Sequence, residues 1–316
     1  MSILVVPFGP AHIADAARMF VDSLSSLRRG VPALPPDLAD VEAVGQRLVG
    51  MAGFAALEGG GLAGYLTAWF PIERFRGADR VGAYAPEWAH GSRGSNRRAV
   101  DAALYRAAAA EWSAAGSDTH AITLLAGDDA LETWFWLGFG MGTVDAVRPM
   151  TPIEHPVPDG IVVRMALQTD AAVLAALDVE HQRHYQESPV FMQAREPEDA
   201  GSFTAFLRRP GATIWLAEDR GEAVGFLRCG REFNASAVVE SAAANFISAV
   251  YVRPATRGRG AAAAMLDAAL RHYAVEGVAT CAVDFEAFNP EATAFWLRHF
   301  TPVCLSLIRV PESPNG

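Results

Sequence analysis

A small-residue turn with the sequence RGRGAA stands at Arg257–Ala262, between an apolar segment and an alanine-rich one. This order predicts a buried strand over Asn245–Val252, a stop at Pro254 and a helix over Ala261–Glu276. Amides in the first turn of a helix have no acceptor within the helix, and the helix dipole adds partial positive charge there. The turn is therefore suited to binding a diphosphate, although a glycine-rich turn without a ligand would share this composition.

The elements that would position this turn occur twice along the chain. Each half shows a short strand, two helices, a pair of strands, then a strand, a glycine-containing loop and an alanine-rich helix. Asp101–Leu104 and Asp267–Leu270 share the sequence DAAL, and Phe135–Leu137 and Phe295–Leu297 share FWL. The repeated order predicts a duplicated domain, with domains at 1–150 and 161–316 joined by a proline-rich linker at 151–160.

A motif for a known fold family lies in the second half. The pattern V-x-P-x-x-R-x-x-G-x-A, met by Val252, Pro254, Arg257, Gly260 and Ala262, resembles the pyrophosphate-binding motif of the GNAT acetyltransferase superfamily. A predicted strand at Thr280–Phe285 follows the motif at a family-like distance. Asn289 comes next, at a family-like distance too, and resembles the start of the family's N-x-x-A element. The resemblance covers residues 215–300 well. It implies an α/β (α+β) protein of two tandem GNAT folds, each a mixed, splayed central sheet flanked by helices.

The resemblance also implies a cosubstrate, acetyl-CoA. Its pantetheine arm would pair with the strand of Val250 as a further strand does, the turn amides would hold its diphosphate, and the sheet would splay between the strands of Val250 and Val283. An amine would attack the thioester directly, without an acyl-enzyme. The residues expected at the cofactor are Val250, Val252, Arg257, Gly258, Arg259, Gly260, Ala261, Ala262, Asn289 and Phe295.

The catalytic residues are less well marked in the sequence. Trp296 stands where the family often has a tyrosine that protonates the departing thiolate, and Phe246 stands where some relatives have a glutamate. The remaining candidates are His184, Tyr185, Asp284 and Glu286, for each of which a solvated or structural role stays open. His181 and His184 have the spacing of a metal pair but lack a third ligand, so we expect surface residues and no metal.

The corresponding loop of the first half, His90–Asn96, departs from the motif. Gly91 takes the place of Arg257 and Asn96 that of Ala262. We expect the first domain to have lost tight CoA binding and to serve as a scaffold or as one wall of the acceptor site. Two roles stay open for the five tryptophans Trp69, Trp88, Trp112, Trp134 and Trp136: they form an aromatic acceptor pocket, or they lie in the core or an interface.

Composition excludes several other chemistries. All 26 Lys and Arg residues are arginine, so a lysine-containing phosphate loop, a pyridoxal-phosphate Schiff base and a lysine base are excluded. The net charge of −10 disfavours nucleic acid and anionic membrane as partners. The apolar runs are too short to span a bilayer, and the three cysteines predict buried free thiols. We expect a cytoplasmic protein, either a monomer or a homodimer.

Three functions remain open from the sequence. The first is acetyl transfer to the amine of a small molecule, because the tandem arrangement with a linker ending in Pro-Asp-Gly is similar to that of mycothiol synthases, which acetylate an aminosugar-linked cysteine. The second is protein or peptide acetylation. The third is a non-catalytic acyl-CoA-binding or regulatory module, which Trp296 and the lack of an obvious base would favour.

Overall fold

The computed structural model describes residues 3–38, 40–231 and 235–311, so the outer limits of the two predicted domains, residues 1 and 316, lie outside the described part. The chain forms two compact units. Unit 1 consists of Met1–Asp145, Ser236–Val238 and Pro302–Gly316, and unit 2 consists of Ala146–Ala235 and Val239–Thr301.

Unit 1 is a mixed sheet with four helices among its described residues. Its strands are β1 (Leu4–Pro7), β2 (Ala52–Glu58), β3 (Gly61–Ile72), β4 (Gly82–Ala85), β5 (His90–Ser92), β6 (Thr119–Leu125), most of β7 (Gly140–Pro149) and nearly all of β13 (Thr301–Arg309). Its helices are α1 (Pro10–Gly30), α2 (Val41–Leu48), α3 (Arg97–Ala114) and α4 (Ala130–Trp136). The strand order is β1-β2-β3-β4-β6-β13-β7, with β5 paired to β3. Only β4 and β6 form a parallel pair among the registers determined here.

Unit 2 repeats this plan. Its strands are β8 (Ile161–Met165), β9 (Thr213–Asp219), β10 (Glu222–Gly230), β11 (Ala244–Val252) and β12 (Thr280–Glu286), in the order β8-β9-β10-β11-β12. Its helices are α5 (Ala171–Gln186), α6 (Ala200–Leu207), α7 (Ala261–Val275) and α8 (Pro290–His299). The pairs are antiparallel except β11 with β12, which is parallel. The predicted strands at Asn245–Val252 and Thr280–Phe285 and the predicted helix from Ala261 are confirmed.

The sheet of unit 2 is covered on both faces, because successive residues of a strand point in opposite directions. Phe226 of β10 packs with Leu174 of α5 and Phe203 of α6 in one apolar cluster. On the other face, the Trp215 ring of β9 lies 5.9 Å from the ring of His272 on α7. Helix α7 is thereby held against the sheet, which fixes the position of its N-terminus.

The units divide at a different place from the predicted linker. Unit 2 begins at Ala146, and Pro302–Gly316 belongs to unit 1 rather than to the second half. The reason is that β13 pairs antiparallel with β6, from Cys304 opposite Leu125 to Arg309 opposite His120. An apolar strand pattern does not say which of two similar sheets the strand will join.

The tryptophans of unit 1 do not form a single pocket. Trp88, Trp112 and Trp134 are each 2% exposed and belong to the core, whereas Trp69 is 46% and Trp136 is 71% exposed. The three cysteines are buried and free, as expected. Within the described ranges, no helix is both long and apolar enough to cross a membrane.

A cluster of buried carboxyl groups lies in unit 1. Glu87 Oε1 accepts a hydrogen bond from the amide of Val238 at 3.1 Å, and Asp145 accepts one from the Ser236 hydroxyl at 2.5 Å. Burial, reinforced by the charge of Asp145, raises the pKa of Glu87 to about 7, and burial raises that of Asp145 to about 6. The folded state therefore holds protons on these groups that the unfolded chain releases at lower pH.

We predict that Glu87→Gln flattens the pH dependence of stability. Unfolded Glu87 loses its proton as pH rises through 4.5, whereas the folded protein keeps it to about 7, so ionisation of the unfolded chain lowers the free energy of unfolding across this interval. The loss is about 3 kcal/mol at 1.36 kcal/mol per pKa unit. Glutamine does not titrate, so urea unfolding at pH 4.5 and pH 8 should show a smaller loss in the variant. The exposed control Glu73→Gln should behave as wild type; an equal loss in Glu87→Gln would contradict the prediction.

Candidate active site

The parallel ladder between β11 and β12 ends before either strand does. Pairing runs from Ala244 opposite Thr280 to Ile247 opposite Val283, although β11 continues to Val252 and β12 to Glu286. On its other edge, β11 stays paired with β10 as far as Val252. The predicted splay between the strands of Val250 and Val283 lies at this point.

A β-bulge stands where the strands separate. Arg228 of β10 faces Ala249, and the next residue, Cys229, faces Ile247, so Ser248 is the extra residue of β11. A bulge bends its strand and increases the local twist. The bend accounts for the divergence of β11 from β12 immediately after Ile247.

The divergence opens into a cavity of about 560 Å³ in unit 2. Its walls are the end of α5, the separated parts of β11 and β12, the turn before α7, and α8. The lining includes these predicted cofactor residues: Val250, Val252, Arg257, Gly258, Gly260, Ala261, Ala262, Asn289 and Phe295. It also includes the four predicted catalytic candidates, His184, Tyr185, Asp284 and Glu286. Arg259 is the exception, since it does not line the cavity and forms an ion pair with Asp219 at 2.6 Å.

The turn before α7 needs glycine at two positions. Gly258 has φ +75° and Gly260, the N-cap of α7, has φ +87°, which is the left-handed region that side chains disfavour. A Cβ atom at Gly260 would also stand 2.7 Å from Nε2 of His155 and 3.1 Å from Cγ of Pro158. The backbone at the start of α7 therefore has no side chain at Gly260, and His155 and Pro158 lie close to it.

The amides at the start of α7 provide the anion-binding groups. Ala264 N–H donates to the Gly260 carbonyl at 2.9 Å, so the three preceding amides, those of Ala261–Ala263, lie ahead of the first intrahelical bond. The amides of Arg257 and Arg259 instead donate to carbonyls of the preceding turn, at 3.2 and 3.4 Å. Among the predicted cofactor residues, Ala261–Ala263 therefore supply the amides that are available to bind an anion.

The side chain of Arg257 braces the cavity wall. Its Nε donates to the Val252 carbonyl at 2.9 Å, and its guanidinium forms an ion pair with Glu291 on α8. The same Glu291 carboxylate lies 3.4 Å from His184 Nε2. The arginine therefore joins the end of β11 to α8, and its charge is compensated by a carboxylate.

His184 and Tyr185 have shifted acidities inside the cavity. Burial, with the charge of Arg257 as the next cause, lowers the pKa of His184 below its ordinary 6.5, while Glu291 opposes the shift. Burial raises the pKa of Tyr185, and the carboxylates of Glu286 and Asp284 raise it further. Near neutral pH the imidazole is therefore neutral and the phenol keeps its proton, which suits them to accept and to donate a proton respectively.

Two carboxylates on β12 give the cavity negative charge. Val283 and Phe285 are 2% and 3% exposed, whereas Asp284 and Glu286 alternate with them and are half-buried. All four residues line the cavity. The alternation predicted for these carboxylates is confirmed, and their charge favours a cationic ligand beside them.

The expectation that His181 lies on the surface is wrong. Its side chain is buried, and Nδ1 lies 3.3 Å from Oδ1 of Asp178, so helix α5 satisfies it internally. Among the described residues, no group of three or more His, Cys, Asp or Glu side chains could hold a metal ion.

Sequence reasoning missed two further features of this cavity. His155 lines it from the predicted linker, whose prolines indicated only a spacer. Ser248 is the bulge residue that bends β11, but no characteristic residue type marks a bulge inside an apolar strand. Trp296, the central residue of the repeated FWL sequence at Phe295–Leu297, is 5% exposed and also lines the cavity.

The corresponding region of unit 1 is built differently. Gly94 has φ +87°, as Gly260 does, but His90–Ser92 forms strand β5 on β3 where unit 2 has an open turn. Between the parallel strands β4 and β6, the Tyr84 hydroxyl lies 3.1 Å from Thr123 Oγ1. This bridge joins the two strands that correspond to β11 and β12. The loss of CoA binding by unit 1 remains a prediction.

Comparison with known proteins identifies a domain of a known family in the second half and supports the fold. Residues 178–300 match the model of the acetyltransferase (GNAT) family. A GCN5-related N-acetyltransferase from Sphaerobacter thermophilus has a similar structure, with a TM-score of 0.57 at 17% identity over 98% of this chain and 97% of that one. A GCN5-related glucosamine N-acetyltransferase region of a fungal multi-domain GH3 beta-N-acetylglucosaminidase gives 0.51 at 13% identity, over 97% of this chain and 38% of that one.

A tandem GNAT protein from the clavulanic acid biosynthesis pathway gives a TM-score of 0.47 at 14% identity, over 99% of this chain and 100% of that one. No curated protein matches the chain, and the similarity to mycothiol synthases stays a prediction from the sequence.

We predict that Gly260→Ala destabilises the protein more than Gly277→Ala. Both glycines flank α7 with positive φ, +87° and +77°, so each alanine costs about 1 kcal/mol of backbone strain. Only at Gly260 does the added Cβ meet other atoms, because Gly277 has open space around it. Urea unfolding should show the difference, and an acetyl-CoA titration should show weaker binding only for Gly260→Ala. Equal losses of stability would contradict the close approach at Gly260.

Proposed function

Since the second half of the chain carries a GNAT acetyltransferase domain at residues 178–300, we propose that it transfers acetyl from acetyl-CoA to the amine of a small molecule. The observation that carries this proposal is the end of the β11–β12 ladder inside the cavity that also contains the start of α7. One edge of β11 is left for an extended ligand, and an anion site lies at the end of the same strand.

The cavity offers groups for the pantetheine arm, the diphosphate and the thioester of acetyl-CoA. The pantetheine arm has amides and carbonyls spaced to pair with the free edge of β11 around Val250, as in β-strand addition. The diphosphate has the amides of Ala261–Ala263 and the helix dipole. The thioester would then lie between the separated strands, where an amide of β11 would stabilise the oxyanion that forms during attack.

Acetyl transfer needs the acceptor amine without its extra proton. Asp284 and Glu286 favour the approach of an alkylammonium ion. We assign the neutral imidazole of His184 as the acceptor of this proton: its Nε2 lies 3.4 Å from Glu291, which favours the tautomer with a proton on Nε2 and leaves Nδ1 to accept. The amine nitrogen would then form a bond to the thioester carbon and lose its second proton to solvent as the tetrahedral intermediate collapses and the carbon–sulfur bond breaks.

The departing thiolate also needs a proton. The family's usual tyrosine is replaced by Trp296, whose ring packs 4.8 Å from that of Phe295 and 5.2 Å from that of Phe300. Tyr185 lines the same cavity and is the phenol placed to donate this proton. We assign the role of general acid to Tyr185.

The buried Trp296 also favours a second candidate, a module that binds acyl-CoA without turning it over. The two functions separate in one experiment, in which acetyl-CoA binding is measured by calorimetry and release of free CoA is followed over a panel of primary amines, aminosugars and amino-terminal peptides. Turnover on a small amine supports the proposal. Tight binding without CoA release on every amine supports the binding module, and turnover on peptides alone would assign a protein or peptide acceptor.

We predict that Tyr185→Phe lowers kcat by roughly 100-fold, the usual size of one general-acid contribution. The KM for acetyl-CoA should stay within about twofold, because the phenol acts on the thiolate after binding. Tyr273→Phe is the control: Tyr273 donates to the Gly211 carbonyl at 2.9 Å, so its loss affects packing and not chemistry. An unchanged kcat in Tyr185→Phe would remove the general-acid assignment.

We predict that Glu291→Gln moves the acidic limb of the kcat/KM profile to lower pH. The Glu291 carboxylate raises the pKa of His184 against the effects of burial and Arg257, so its removal lowers that pKa further. Activity, which requires neutral imidazole, then persists at more acidic pH. Profiles measured from pH 4.5 to 8 test this, with Glu276→Gln as the control on the exposed side of α7. A limb that moves to higher pH, or stays in place, would contradict the role of His184 as base.

A further inference from the structure

We propose that His155, on the segment before β8, binds the diphosphate of CoA through its imidazole. The inference rests on the proposed binding of acetyl-CoA in unit 2. The predicted linker is then part of the cofactor site and not only a spacer. His155 lines the same cavity as the turn before α7.

The imidazole lies at the place where an anion would bind. Nε2 of His155 is 2.7 Å from the position of a Cβ atom on Gly260, and Gly260 is the N-cap of α7. A diphosphate held by the first amides of α7 therefore lies beside this ring. A protonated imidazole offers two N–H donors, and bonds of this charge-assisted type are stronger than neutral ones.

The segment is fixed to α7 next to this histidine. The amide of Glu154 donates to Oδ1 of Asp267 at 2.8 Å, while Oδ2 of Asp267 accepts from Arg271 Nε at 2.7 Å. Glu154 has φ +53°, a left-handed conformation that a glutamate keeps only where surrounding contacts impose it. On the other side of His155, Pro158 packs close to Gly260. Anchors before and after His155 hold its ring over the turn.

The equivalent aspartate in unit 1 has no such role. Asp101 occupies the place of Asp267 in the repeated DAAL sequence and is also buried. Its Oδ2 has no hydrogen-bond partner within the described ranges, and burial raises its pKa to about 6. Within the described ranges, the buried carboxylate of the repeat therefore holds a backbone segment in the second copy only.

The positive charge at this end of the cavity also comes from outside the motif. The motif arginines Arg257 and Arg259 are paired with Glu291 and Asp219. Arg298 and His299 line the cavity together with His155. Burial lowers the pKa of His299, and the charges of Arg148, Arg298 and His155 lower it further. Several basic side chains therefore lie close together at this end of the cavity. A diphosphate would supply the missing negative charge.

Calorimetric titration of the full chain with acetyl-CoA tests the proposal. His155→Ala should weaken binding by about 10- to 100-fold, the effect of one charge-assisted bond, and His155→Gln, which keeps a neutral donor, should fall between. Val157→Ala, at an exposed position two residues along the same segment, is the matched control that should bind as wild type. Unchanged affinity in His155→Ala overturns the proposal.

Two shorter ligands locate the contact. Dephospho-CoA lacks the 3′-phosphate and keeps the diphosphate, so the loss caused by His155→Ala should be as large as with CoA. Pantetheine has no phosphate, and there the substitution should have no effect. A loss seen with CoA alone would place His155 at the 3′-phosphate, and an equal loss with pantetheine would make its role structural; either result overturns the proposal.

The anchor supplies a second set of variants, in case His155→Ala perturbs the fold. Asp267→Ala removes the acceptor for Glu154 N–H and should weaken binding of CoA and dephospho-CoA, whereas Asp267→Asn keeps a carbonyl acceptor and should restore much of it. Binding that is equal in the two Asp267 variants counts against a positioned His155. Wild type that binds CoA without turnover, while His155→Ala binds weakly, supports this inference and refutes acetyl transfer. Wild type that does not bind CoA refutes both.

Discussion

Beyond Ile247, the backbone of β11 is hydrogen-bonded to a strand on one edge only, the edge facing β10. Backbone amides and carbonyls inside a sheet need partners, and an unpaired interior edge is unfavourable unless water or a ligand satisfies it. The bulge at Ser248 starts the separation, and the ion pair of Arg257 with Glu291 connects the open end of β11 to α8. The cavity, the access to the α7 amides and the placing of Tyr185 all depend on this opening.

The two copies of the fold treat the same opening in opposite ways. In unit 2 the strands separate, and polar groups of β12 and α5 line the space between them. In unit 1, the Tyr84 hydroxyl meets Thr123, and Thr123 in turn lies 2.8 Å from the hydroxyl of Ser306. Strand β5 takes the place of the open turn. Both copies thus keep the same backbone plan, including the positive φ at Gly94 and Gly260. In the first copy, side-chain hydrogen bonds join the strands that separate in the second.

The local elements of the site could be predicted because local residues determine them. Apolar runs, Pro254 and the glycines at 258 and 260 specify the strand, its end and the start of α7 by short-range sterics. Partners that come from distant residues could not be predicted: nothing in the sequence pairs Arg259 with Asp219, or brings His155 to Gly260. The burial of His181 was missed because the rings of Phe226 and Tyr251, which pack against its imidazole, come from distant strands, although its hydrogen-bond partner Asp178 lies on the same helix.

The strand exchange at the end of the chain affects the order of events during synthesis. Unit 1 needs Pro302–Arg309 to complete its sheet beside β6, and residues 146–301 are made before them. At roughly 5–20 residues per second, that stretch delays completion by on the order of ten seconds or more. Until then, the nascent first unit exposes the edge of β6 that β13 later covers, which is the kind of edge that recruits foreign strands. Unit 1 thus depends on a strand synthesised after residues 146–301 to protect the edge of β6.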